Sequence, residues 1–189
     1  MHRWGDFDVE TKVMDSDAAD IAVHSANSVL RERIVEHIFV GDALRRLWQL
    51  GIVDVEVLRS EFDAGGYDIV MSRGSVIRHI QFKSVMVTGK AARTSISMKL
   101  QEKPSGCVIW IVVTPELHFD HYLWFGNAPG QPLEDISEYA VTKHSKGNAD
   151  GIKLERAGHR IVPRGQFDRL QSLDTVLARL FGPLKTAPL

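Results

Sequence analysis

Apolar side chains recur every three or four positions between residues 26 and 50. Leu30, Ile34, His37, Leu44, Leu47 and Trp48 fall on one side at that spacing. The pattern predicts a long amphipathic helix, stopped at Gly51 and weakened locally by Gly41. The period then changes. Ile52 to Leu58 alternates as a strand does, and Gly65-Gly66 permits a tight bend. Two β-rich runs follow, Asp68-Ile69-Val70-Met71 and Val76 to Ser84, joined by Ser72-Arg73-Gly74-Ser75. That arrangement predicts a hairpin.

Residues 87–103 read either way, because Ile96, Met98 and Leu100 alternate among good helix formers. Cys107 to Thr114 is an unbroken apolar run rich in β-branched residues, expected of a strand buried on both faces. His121 to Phe125 predicts one more strand. Residues 142–165 are polar and predict an irregular segment with a short strand near Ile161. A closing helix is predicted over 166–180, with Phe167, Leu170, Leu173, Val176, Leu177 and Leu180 inward. Residues 1–23 are acidic and weakly periodic, an arm or a peripheral strand. The sum is an α/β fold in a single domain over 1–189, a central mixed β-sheet flanked by helices.

Composition narrows the setting. A chain of 189 residues, 44% hydrophobic and 25% charged, can bury a sizeable core as one globular unit. The single cysteine, Cys107, excludes an internal disulfide framework and favours a reducing, cytoplasmic setting. No apolar run approaches the ~18 residues of a membrane span, and no signal region opens the chain. Net charge is −1, which does not indicate a globally basic nucleic-acid binder. The distribution is uneven, however. Residues 71–106 carry Arg73, Arg78, Lys83, Lys90, Arg93, Lys99 and Lys103 against Glu102 alone. Residues 143–164 carry six Lys or Arg against Asp150 and Glu155. Such clusters build either a basic groove or a solvated, unevenly charged surface.

The hairpin holds the candidate chemistry. Strand residues two apart share a face, so His79, Gln81 and Lys83 project together, with Asp68 within reach on the preceding strand. Converging polar groups of this kind are costly unless something engages them, and a divalent metal with a phosphate would do so. The order of an acid on a helix, then Asp68, then Gln81-Phe82-Lys83 on the next strand resembles the PD-(D/E)XK nuclease superfamily. The likeness covers residues 26–84, extends to the strand at 107–113, and stops by about residue 126.

That resemblance implies a restriction-endonuclease-like core and Mg2+- or Mn2+-dependent hydrolysis of phosphodiester bonds, in DNA before RNA. It makes Asp68 the anchoring metal ligand, joined by the Gln81 side-chain oxygen and the Phe82 backbone carbonyl. It gives Lys83 the attacking water or the phosphate. Glu36 is preferred over Glu32 as the helix acid, because Glu36 lies at the edge of the apolar stripe. Gln81 stands where the superfamily more often has Glu, and an amide oxygen is a weaker magnesium ligand than a carboxylate. His79, Lys90, Arg93, Lys99, Lys143, Lys146, Arg156 and Arg160 are the expected nucleic-acid contacts, and a homodimer is among the assemblies allowed.

Two rival classes remain open: a nucleic-acid-binding domain with lost catalysis, and an interaction protein that shares the core. Several residues have blander readings. Asp63 suits a turn cap. His118, Asp120 and His121 have loose metal spacing but no Cys partners. Trp110, Trp124 and Phe125 read as core.

Overall fold

The computed structural model describes residues 26–60, 62, 65–143 and 153–184. The expectations placed on 1–23, Asp63 and Lys146 lie outside them. Helix α1 spans Ser28–Gln49, within two residues of the predicted bounds. Strand β1 is Val55–Arg59, β2 Ile69–Arg73 and β3 Val76–Met86. β4 is Arg93–Ser97, followed by one turn of helix, α2, at Met98–Gln101. β5 is Gly106–Val113 and β6 Phe119–Gly126. The chain continues through β7 (Val141–Lys143), β8 (Glu155–Pro163), β9 (Asp168–Leu170) and α3 (Leu173–Phe181).

Six strands form one sheet in the order β1-β2-β3-β5-β6-β9, and three form a second in the order β4-β8-β7. The β3–β5 pair is parallel and the other pairs of the large sheet are antiparallel, so the sheet is mixed. The predicted hairpin is present, with Gly74 at φ 55° in its turn. β5 is buried along its whole length, as its β-branched run requires.

Each face of the large sheet has its own cover. Val35, Phe39, Ala43 and Leu47 of α1 and Val176, Leu177 and Leu180 of α3 pack on Ile69, Ile80, Ile109 and Ile111. The opposite face, with Val85, Val108, Trp110 and Leu123, packs against Ile96 and Val162 of the small sheet. Both long helices therefore share one face, and a second sheet takes the place expected for a helix on the other. Trp110, Trp124, Phe125 and Cys107 are core residues. Burial pushes the Cys107 thiol up to about 12.

Three expectations are corrected. Leu30, Ile34, Leu44 and Trp48 lie on the outer side of α1, and its inner side is Val35, Glu36, Phe39, Ala43 and Leu47. The polar stretch at 142–165 contains two strands, β7 and β8, rather than one short piece. The closing helix begins only at Leu173, where the Ser172 Oγ accepts the Thr175 N–H at 3.3 Å. Phe167 and Leu170 are buried as expected, but from a loop and a strand.

Candidate functional site

β3 is 11 residues long and β2 only five, so the second half of β3 runs on beyond its hairpin partner. Pairing of the two strands ends at Ile69 with Ile80. Asp68 stands at that end. Its own N–H donates to the Ile80 carbonyl at 2.8 Å, and its carboxylate Oδ2 accepts the Phe82 N–H at 2.6 Å. The side chain thus takes the β3 amide that a longer β2 would have paired. A backbone bond to an ionised acceptor is short and strong, and it fixes how the carboxylate is turned.

A cavity of about 170 Å3 opens at this point. Asp68, Phe82, Lys83 and Ser84 line it from the hairpin, and Glu32, Arg33 and Glu36 from α1. Asp68, Lys83 and Glu36 are therefore brought together from three elements, and Glu32 joins them. Asp68 and Lys83 are half-buried. Glu36 is 4% exposed, with one carboxylate oxygen accepting from Arg33 at 3.0 Å and the other from Arg59 of β1. Two arginines neutralise an acid that would otherwise be costly to bury. Arg59 had no part in the sequence reading, because only the folded β1 carries it across to α1.

Gln81 does not line this cavity. It is 8% exposed, and its Oε1 is buried without a hydrogen-bond partner. It lines a second cavity of about 230 Å3 between the two sheets, together with Gly66, Ser97, Lys99, Arg156, Gly158 and His159. Ile80 and Phe82 belong to the helix-side core, and alternation turns Gln81 and Lys83 to the opposite face, toward the small sheet. Lys83 still lines the first cavity, beyond the point where β2 pairing stops.

The expected nucleic-acid contacts divide. Lys99 and Arg156 share the second cavity. Lys90, Arg93 and Lys143 are exposed elsewhere. Arg160 is bound to the carbonyls of Ser137, Ala157 and His159, which gives it a structural role in β8. His79 lies edge-on to the Tyr67 ring at 5.0 Å, and burial with nearby Lys103 lowers its pKa. A histidine held neutral is a weak partner for phosphate. Arg78, counted among the surface cations, is fully buried.

Oxygen donors suited to a hard cation are present at the hairpin. Magnesium is commonly held by one or two carboxylates with further oxygens from carbonyls and water. Asp68 supplies a carboxylate to the first cavity, whereas the Gln81 Oε1, a buried acceptor that still needs a donor, belongs to the second. Among the described residues no group of three or more His, Cys, Asp or Glu could hold a metal. His121 Nδ1 instead pairs with the Asp120 carboxylate at 2.5 Å. One carboxylate beside Phe82, completed by water, is a set of oxygens of the kind magnesium accepts, whereas 118–121 offers no group suited to zinc among the described residues.

A cavity of about 710 Å3 lies between the C-terminal half of α1 and the β5–β6 turn. Charges on its walls are matched internally, Arg45 by Asp42 and Arg46 by Asp174. No known family matches the chain, and no curated protein matches it either. Among the described residues no helix is long and apolar enough to cross a membrane.

Proposed function

We propose that the protein is a metal-dependent nuclease of the PD-(D/E)XK type, acting on DNA in preference to RNA. The observation that carries this reading is the convergence of Asp68, Lys83 and Glu36, from β2, β3 and α1, on one small cavity. An acid and an ammonium separated by one hairpin turn, at a sheet edge where pairing stops, suit a phosphodiester. Asp68 would hold the ion, with the Phe82 carbonyl as its further protein oxygen, since Gln81 lines the other cavity. A bound Mg2+ or Mn2+ supplies charge stabilisation at the phosphoryl oxygens.

The chain's own groups do the rest. The Phe82 N–H holds the Asp68 carboxylate in one orientation. Lys83 places a positive charge on the cavity wall, where charge grows on the phosphate oxygens during attack by water. The water oxygen bonds to phosphorus as the ester P–O bond breaks, and the leaving oxygen ends protonated as a hydroxyl. Glu36, engaged by Arg33 and Arg59, is a positioning residue that fixes α1 against β1 and the cavity wall.

One observation favours a second reading, a nucleic-acid-binding domain without catalysis. Glu36 is already neutralised by arginines, and the second motif position is the uncharged Gln81. Cleavage of a plasmid and of labelled oligonucleotides with Mg2+, Mn2+ or EDTA separates the two. A metal-dependent activity lost in Lys83→Ala supports the nuclease. Salt-sensitive binding with no cleavage selects the binding domain.

A further inference from the structure

The second cavity, between β3 and the small sheet, has a distinct character. Lys99 enters from α2, and Arg156, Gly158 and His159 from β8. Arg156 Nη2 lies 3.4 Å from His159 Nε2, which brings a guanidinium and an imidazole to one wall. Among the described residues no acidic side chain lines the cavity. Gln81, more than nine-tenths buried, forms part of its wall with Oε1 unpartnered. Gly158 leaves room there, since a Cβ added to it would meet nothing within 4 Å.

We propose that this cavity is a phosphate subsite for the strand that crosses the Asp68–Lys83 cavity. The inference rests on the nuclease reading of that first cavity. Two cationic side chains and an imidazole on one wall favour an anion. Gln81 and Lys83 are two residues apart on β3, a separation of about 7 Å along a strand. Gln81 of the second cavity and Lys83 of the first share a face of β3, so neighbouring phosphates of one strand can lie against both. Gln81 lines the second cavity, and a hydrogen-bond donor on the sugar or base of that strand would satisfy its Oε1.

The test uses the full chain in EDTA, where binding is read without cleavage. A fluorescein-labelled single-stranded oligonucleotide of mixed sequence is titrated by anisotropy, with dTMP and inorganic phosphate as competitors. Gly158→Glu adds an acid to the cavity, and Arg156→Glu reverses a wall charge. Each should weaken oligonucleotide binding at least about tenfold, and Arg156→Ala should lower the salt slope by about one. Both Glu variants are checked by melting, and if one fails to fold the other is decisive. Unchanged affinity in a folded variant overturns the subsite. Inorganic phosphate or dTMP binding as tightly as the strand overturns the assignment to a strand and makes the site one for a free anion. Loss of binding in these variants, together with no metal-dependent cleavage by the wild type, keeps the subsite and removes the nuclease.

Discussion

Arg78 offers a stability test whose size follows from its contacts. It is wholly buried on β3 and donates four hydrogen bonds: to the carbonyls of Leu180, Arg179 and Asn127, at 2.9, 2.6 and 2.8 Å, and to the Ser105 Oγ at 2.9 Å. Leu180 and Arg179 lie in the last turn of α3, whose carbonyls have no partner within the helix. A guanidinium there also meets the negative end of the helix dipole. Arg78→Met keeps much of the volume and removes every donor. Each buried acceptor left alone costs about 1–3 kcal/mol. The Ser105 Oγ retains the Gly130 N–H at 3.2 Å and loses least. Three orphaned carbonyls then cost about 3–9 kcal/mol by the same figure. Burial lowers the Arg78 pKa, which marks a desolvation cost that the variant escapes. We therefore expect a net loss near the lower end, about 3–5 kcal/mol, a large part of the ~5–15 kcal/mol typical of a domain. For a chain of this size it corresponds to a fall in Tm of roughly 6–20 °C. Urea unfolding followed by fluorescence gives the free energy directly. A loss below about 1 kcal/mol at an unchanged m value would refute the idea that Arg78 ties α3 to the sheet.

Three further outcomes follow from the site. Millimolar Mg2+ or Mn2+ should raise the Tm of the wild type by mass action, and Asp68→Ala should abolish the rise; an equal rise in both would place the ion elsewhere. Gln81→Glu places a carboxylate beside Lys99 and Arg156, so it should weaken oligonucleotide binding in EDTA, and magnesium titrations of Tm for the variant and the wild type should run parallel. A stronger magnesium response in the variant would put Gln81 at the ion instead. His79 has a folded-state pKa below its ordinary value, through burial and then Lys103. Its contribution to stability is present at neutral pH and is lost as pH falls through about 6.5, where the unfolded chain takes up the proton first. His79→Phe should flatten the fall in Tm between about pH 7 and 5, and an unchanged slope would assign it to other groups.

Much of the fold is legible where a periodic pattern is long. The 22-residue helix, the hairpin and the buried strand at 107–113 all lie close to their predicted places. The inner face of α1 was not legible. Leu30 and Trp48 are large and apolar yet 59% and 69% exposed, whereas the buried side includes Glu36 and Ala43. Arg33 and Arg59 make that burial tolerable, and the second of them is 23 residues away in sequence. β8 escaped because Glu155 to Gly158 are exposed, so no apolar alternation marks them, and its pairing partners β4 and β7 are distant. Phe167 and Leu170 mimic helical spacing with Leu173, though they precede the Ser172 cap. At the site, Asp68 and Lys83 line one cavity as the motif order suggested, and Glu36 joins them although the apolar stripe used to choose it is not the buried one. The facing of Gln81 onto another cavity was not legible, because the small sheet that walls it is assembled from segments the pattern left ambiguous.

The central claim is tested most directly by single-turnover cleavage of a labelled oligonucleotide by wild type, Asp68→Asn and Lys83→Ala, with Mg2+ or Mn2+ and with EDTA. Both substitutions keep the side chain or its stem short enough to fit the cavity, and melting confirms the fold. Cleavage by the wild type only with metal, reduced at least about a hundredfold in each folded variant, is the predicted result. Metal-dependent cleavage that survives both substitutions, or no cleavage by the wild type in either metal, would contradict it.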